Sequence, residues 1–126
     1  MITSITPNLM VTSVEESLPF YAKLGFTEVA SVPNPDTGKL QFAIVTKDDA
    51  MIMFQERDNL IVEYPALSEA TTPSITLFIK VDDVNALAAE LSTVVPFEVE
   101  LHKTFYGAEE FAILDNSGYI ITFAQV

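Results

Sequence analysis

The feature that most constrains the fold of this chain is an internal repeat. Ser4-Ile5-Thr6 recurs as Ser74-Ile75-Thr76, and Val11 and Val14 recur as Val81 and Val84, all 70 residues further on. Phe42-Ala43-Ile44 recurs as Phe111-Ala112-Ile113, and Ile52 and Phe54 recur as Ile121 and Phe123, 69 residues further on. Each copy carries an apolar face that must stack on something. Two modules sharing one sheet system are therefore expected, with a pseudo-symmetric cleft between them as the place to seek function.

Local signals give each module the order βαβββ. Ser4 to Val11 alternates polar and apolar residues, as a half-buried strand does. Ser13 with Glu16 three residues later forms a capping box opening a helix, with Val14, Leu18, Tyr21 and Leu24 inward and Gly25 just past its end. Pro19 costs that helix a hydrogen bond and predicts a local kink or a loosened first turn. Strands are expected over Thr27 to Val32, Leu40 to Thr46 and Ala50 to Gln55, with turns at Asn34 to Gly38 and Lys47 to Asp49. The second copy repeats the order: a strand over Ser74 to Val81, acidic Asp82-Asp83 opening a helix rich in Ala and Leu, then strands near Phe97 to Leu101, Glu109 to Leu114 and Tyr119 to Gln125. The modules are thus 1–56 and 74–126. The connector 57–73, with Leu60, Ile61, Tyr64 and Leu67, reads as a structural strap or, alternatively, a lid.

Composition narrows the function classes. A chain of 126 residues is one domain by size and needs no staples to bury a core. It has no cysteine, which removes disulfides, thiolate metal sites and cysteine nucleophiles. The formal charge of −12 disfavours nucleic acid and anionic membranes as partners and suits a cationic guest. No apolar run is long enough to span a bilayer, and Met1-Ile2-Thr3-Ser4 lacks the basic start and apolar stretch of a secretory signal, so a cytoplasmic location is expected.

Strand alternation assigns faces. Ile5, Leu9 and Val11 oppose Ser4, Thr6, Asn8 and Met10; Ile75, Leu77, Ile79 and Val81 oppose Ser74, Thr76, Phe78 and Lys80. Ile52 and Phe54 likewise oppose Met51, Met53 and Gln55, as Ile121 and Phe123 oppose Ile120, Thr122 and Ala124. The uniformly apolar set is expected beneath the helices. The mixed set, centred on Thr6, Met53, Thr76 and Thr122, is expected to line a concavity.

Ser17-Leu18-Pro19-Phe20-Tyr21 with Leu24-Gly25-Phe26, Val81-Asp82-Asp83-Val84, and Tyr106-Gly107 followed by Phe111, Asp115, Gly118 and Tyr119 carry a family likeness. In this order and spacing the chain resembles, over essentially its whole length, the vicinal oxygen chelate superfamily of glyoxalases, extradiol dioxygenases and bleomycin-resistance proteins. The resemblance implies an α+β fold, two βαβββ modules forming an eight-stranded, incompletely closed mixed barrel around a cavity, helices outside, commonly in a homodimer. Metal-dependent members hold a divalent ion through His, Glu or sometimes Gln at positions that fall here on Thr6, Met53, Thr76 and Thr122. None of these is an imidazole or a carboxylate. With His102 as the only histidine, a two-histidine iron site is out of reach. The expectation is therefore no metal and no cofactor.

What remains is a small organic, cationic or aromatic ligand bound by Thr6, Asn8, Phe42, Met53, Gln55, Thr76, Phe78, Phe105, Tyr106, Phe111 and Thr122, with the aromatics standing in for the Trp this chain lacks. Glu98, Glu100, Glu109 and Glu110 are placed to add negative potential. A metal-free binding protein that sequesters its ligand is the leading reading. Two alternatives stay open: a metal-independent lyase or isomerase using His102 or a glutamate such as Glu56 or Glu98 as acid/base, and a dimeric interaction module with a vestigial cavity.

Overall fold

The computed structural model describes residues 1–70 and 73–126. The chain divides into two compact units, Met1–Thr71 and Thr72–Val126. Each is a four-stranded mixed sheet with helix packed on it, and the fold is α+β.

In the first unit β1 (Asn8–Val11) leads into α1 (Val14–Lys23), then β2 (Thr27–Pro33), β3 (Leu40–Lys47), β4 (Ala50–Glu56) and α2 (Arg57–Glu63). The sheet order is β1-β4-β3-β2, with β1 parallel to β4 and the other pairs antiparallel. Helix α1 starts where the capping box predicted: the Ser13 hydroxyl accepts from the Glu16 N–H at 3.2 Å. It ends in a Schellman motif. Phe26 N–H donates to the Tyr21 carbonyl and Gly25 N–H to that of Ala22, each at 3.0 Å, with Gly25 at φ +96°. Tyr21 and Phe26 supply the accompanying apolar contact, 5.6 Å between ring centroids. Tyr21 also meets Phe54 of β4 at 4.7 Å, so the Leu9, Val11, Ile52 and Phe54 face lies under the helix as alternation predicts.

The second unit repeats the plan: β5 (Thr76–Lys80), α3 (Val84–Leu91), β6 (Val99–Lys103), β7 (Glu109–Leu114) and β8 (Ile120–Gln125), in order β5-β8-β7-β6. Asp83 caps α3, accepting from Ala86 N–H at 3.0 Å. Val84, Ala88 and Leu91 of α3 are buried, and the helix packs on β7 and β8. The Asp115 carboxylate closes the β7–β8 turn, accepting from Ser117 N–H at 2.8 Å and Tyr119 N–H at 2.9 Å.

Four expectations need correction. The opening strands are shorter than the alternation suggested, because ladder pairing, which alternation cannot see, starts at Asn8 and at Thr76. Ile5, expected inward, is 88% exposed, and Ile75 is exposed as well. The strand expected at Phe97 to Leu101 forms instead over Val99–Lys103, and Phe97 stacks on the core residue Phe111. The connector, expected as a strap or a lid, is not among these corrections: it carries a helix, α2, and a short 3-10 turn, Pro65–Leu67, and α2 packs on β1 and β4 with Leu60 buried.

The fourth correction concerns the repeat. Met53 pairs with Ile44, and its counterpart Thr122 pairs with Ala112. From copy one to copy two β4 therefore shifts by 69 residues but β3 by only 68. The cause is the turn: four residues separate the paired Thr46 and Met51, whereas five separate Leu114 and Ile120. A one-residue slip transfers every side chain of a strand to the other face. Phe111, expected to bind ligand, is accordingly 0% exposed and stacked between Phe97 and Phe123 in the core. Among the described residues no helix is long and apolar enough to cross a membrane.

Candidate ligand-binding faces

Each unit covers one face of its sheet with a helix and leaves the other face mixed in character. In the first unit the mixed face carries Asn8 and Met10 from β1, Met51, Met53 and Gln55 from β4, and Phe42, Ile44 and Thr46 from β3. Asn8 stands opposite Met53, and Phe42 opposite Gln55. Met10, Phe42, Ile44 and Met53 are half-buried, while Asn8 is exposed. Thr6 is half-buried and precedes β1 rather than lying in it.

Gln55 is the one buried polar residue of this face, 8% exposed, and both ends of its amide are hydrogen-bonded. Gln55 Oε1 accepts from Asn8 Nδ2 at 2.9 Å, and Gln55 Nε2 donates to Asn59 Oδ1 at 2.6 Å and to Glu63 Oε1 at 3.4 Å. Asn59 Nδ2 in turn donates to Gln41 Oε1 at 3.2 Å. This chain fixes the start of the connector helix α2 against the sheet. Sequence reasoning found Asn8 and Gln55 but not Gln41, Asn59 or Glu63. The usable signal was the four-residue spacing of Asn59 and Glu63, which share a helix face once Arg57–Glu63 is read as helical.

In the second unit the mixed face holds Thr76, Phe78 and Lys80 from β5, Ile120, Thr122 and Ala124 from β8, and Glu110, Ala112 and Leu114 from β7. Phe78, opposite Thr122, is 51% exposed. The loop between β6 and β7 presents Phe105, 100% exposed, and Tyr106, whose rings meet edge to face with centroids 5.2 Å apart. The Tyr106 hydroxyl donates to Glu110 Oε2 at 2.5 Å. That carboxylate holds the phenol above its ordinary pKa of 10.0, first through the hydrogen bond, then through loss of solvent and the proximity of its negative charge, against a lowering contribution from Thr104.

Among the described residues, His102 and Glu56 are hydrogen-bonded to no other acid or base. His102 is exposed on the outer strand β6, and its Nδ1 faces the Glu100 carbonyl oxygen at 2.8 Å. Because a carbonyl only accepts, Nδ1 carries the proton in that contact. Glu56 stands opposite Val11 at the end of β4, with the parity of the helix-covered face rather than the mixed one.

The metal positions implied by the family resemblance hold three hydroxyls and a thioether: Thr6, Thr76, Thr122 and Met53. The register makes Met53 and Thr122 true counterparts, each opposite the matching residue of the parallel strand. Among the described residues no three His, Asp or Glu side chains gather in a group able to hold an ion. Neutral hydroxyls and a soft thioether are a poor donor set for a divalent metal, so the residues present do not fit one.

The paired β-α-β-β-β units with their shared strand order define the glyoxalase-type fold. The sequence pattern of the glyoxalase/bleomycin resistance protein/dioxygenase superfamily matches residues 2–123, and the chain belongs to that superfamily. Solved structures agree on the fold. A glyoxalase/bleomycin resistance protein/dioxygenase from Nocardioides superposes with a TM-score of 0.79 at 16% identity, covering 99% of this chain and 84% of that one. The hypothetical protein SA1046 from S. aureus superposes at 0.75 with 21% identity, covering 100% of this chain and 95% of that one. A bleomycin-binding protein solved with bleomycin superposes at 0.70 with 18% identity, covering 99% of both chains. No curated protein matches the chain.

Proposed function

We propose that this protein binds a small organic ligand, cationic or aromatic, without a metal and sequesters it unchanged. One observation carries the reading. The superfamily's ion-holding positions are occupied by Thr6, Met53, Thr76 and Thr122, within mixed faces that offer thioethers, aromatic rings and a few polar groups. Such surfaces suit an organic guest: apolar side chains supply area and sparse polar groups supply orientation. The acidic balance favours a positive charge on that guest. The bleomycin complex of a protein with the same fold is compatible with this role. The proposal includes the incompletely closed eight-stranded barrel implied by the family resemblance, a homodimeric state and a cytoplasmic location.

The test is a thermal-shift panel of bleomycin, smaller cationic drugs and neutral aromatic compounds on metal-free protein. A ligand at one hundred times its dissociation constant stabilises the folded state by about 2.7 kcal/mol, a shift of several degrees in a chain of this size. A rise with at least one organic compound supports the reading. A panel that leaves the melting temperature unmoved favours the interaction-module alternative instead.

A further inference from the structure

We infer that Asn8 is a fixed hydrogen-bond acceptor, its carbonyl held open by a one-way chain of amides, and that it selects ligands bearing an N–H donor. The inference rests on the ligand-binding reading above and adds the chemical class of the guest. Four side-chain amides stand in series: Asn8 donates to Gln55, Gln55 to Asn59, and Asn59 to Gln41. Taken alone, such a series runs equally well in either direction, because a carboxamide rotated by half a turn exchanges its donor and acceptor ends.

Glu63 removes that freedom. A carboxylate only accepts, and Glu63 Oε1 lies 3.4 Å from Gln55 Nε2. Turning Gln55 over would set its carbonyl oxygen against the carboxylate, even with Asn59 and Gln41 turned to match. Gln55 is therefore held with its NH2 toward α2 and its oxygen toward Asn8. Asn8 must present its own NH2 to that oxygen, which leaves Asn8 Oδ1 as the open group. Among the described residues no hydrogen bond engages that oxygen. Each amide in the series polarises the next, and Gln55, being buried, does not exchange its partners for water.

The setting suits a donor. Asn8 is exposed on the mixed face, opposite Met53 and in the same strand as Met10, so one polar oxygen stands among thioethers. A ligand N–H meets a pre-oriented acceptor there, whereas a ligand carbonyl or ether meets like against like. Charge alone makes no such distinction, and neither does stacking on Phe105 or Tyr106.

Two measurements test this. The first needs no ligand: side-chain NH2 protons of the folded protein are assigned by NMR. The Asn8 NH2 protons are expected to show through-space contacts to the Gln55 side chain, and the Gln55 NH2 protons to Asn59 and Glu63. Gln55 NH2 protons directed at Asn8 overturn the proposal. The second uses matched probes, benzylammonium and benzyltrimethylammonium, which share ring and charge and differ in N–H donors. Benzylammonium is expected to bind about tenfold more tightly and to shift the Asn8 side-chain resonances. Glu63→Gln, which replaces the acceptor-only anchor with a reversible amide, is expected to shrink that preference with the fold intact by thermal melt. Equal binding of the two probes overturns the inference while leaving the ligand-binding reading in place. If neither probe nor any compound of the thermal-shift panel binds, both fall.

Discussion

Phe42 and Phe111 lie on opposite faces of their own sheets, although the repeat in the sequence makes them counterparts. Phe42 stands opposite Gln55 on the mixed face of the first unit; Phe111 stands opposite Phe123, its ring stacked at 4.5 Å on Phe97 and 5.3 Å on Phe123. The two positions should respond differently to truncation. Phe111→Ala removes a fully buried ring and is expected to cost about 3–5 kcal/mol of stability. Phe42→Ala is expected to cost clearly less and to weaken ligand binding instead. Chemical denaturation of the two variants, with a titration of any ligand found, checks the contrast. Equal losses of stability would refute the face assignment.

The turn that creates this slip depends on one carboxylate. Asp115 is buried and accepts from the N–H groups of Ser117 and Tyr119. Asp115→Ala takes this acceptor from both N–H groups, at an expected cost of about 2 kcal/mol, while Asp115→Asn, which keeps an acceptor, recovers part of it. Urea unfolding midpoints should rank the wild type first, Asn second and Ala last.

Gly25 closes α1 in a conformation that side chains resist. At φ +96° an added Cβ would sit 2.8 Å from Lys47 Nζ, which itself donates to the Leu24 carbonyl at 3.1 Å. Gly25→Ala should therefore cost about 1–2 kcal/mol from backbone strain, with a further loss as Lys47 is pushed from the helix end. Because both changes strike the same contact, Gly25→Ala combined with Lys47→Met is expected to cost less than the sum of the single variants. A double-mutant cycle in denaturant measures this directly.

Tyr106 gives the protein a pH signature. Its hydroxyl proton is held by Glu110, so its folded pKa lies above the unfolded value of 10.0. The sign follows from linkage: the stabilisation is fully present below the unfolded value and is lost as pH rises through the raised folded one. Ultraviolet titration of phenolate in the wild type and in Tyr106→Phe should isolate one tyrosine that ionises late. Glu110→Gln should return it toward the ordinary range. A Tyr106 that titrates at or below the ordinary value contradicts the contact.

The donor set at Thr6, Met53, Thr76 and Thr122 predicts indifference to chelation. Protein dialysed against EDTA and protein supplied with Zn, Ni or Mn are expected to melt at the same temperature, and elemental analysis should find no stoichiometric transition metal. A rise of several degrees with one of these ions would show that other residues of the chain build a metal site.

Much of this was legible along the chain, because it rests on local chemistry. The Ser13–Glu16 box, the glycine at the end of α1, the acidic cap of α3 and the alternation that buries Phe54 and Phe123 act over a few residues, and the folded chain follows them. The identity of the four residues at the metal positions that the family resemblance implies was equally readable, since it needs no fold. Tertiary structure alone decided the rest. Ladder pairing begins at Asn8 and Thr76, so Ile5 and Ile75 are exposed where alternation predicts burial. One extra residue in a turn moved Phe111 from the proposed binding face into the core, because strand register depends on the length of the connection. Gln41, Asn59 and Glu63 join Asn8 and Gln55 only when the connector folds as α2 against β4, bringing together side chains from four elements. Hydrogen bonds between distant segments leave no periodic trace in a sequence, which is why the orientation of Asn8 could be derived only from the folded chain.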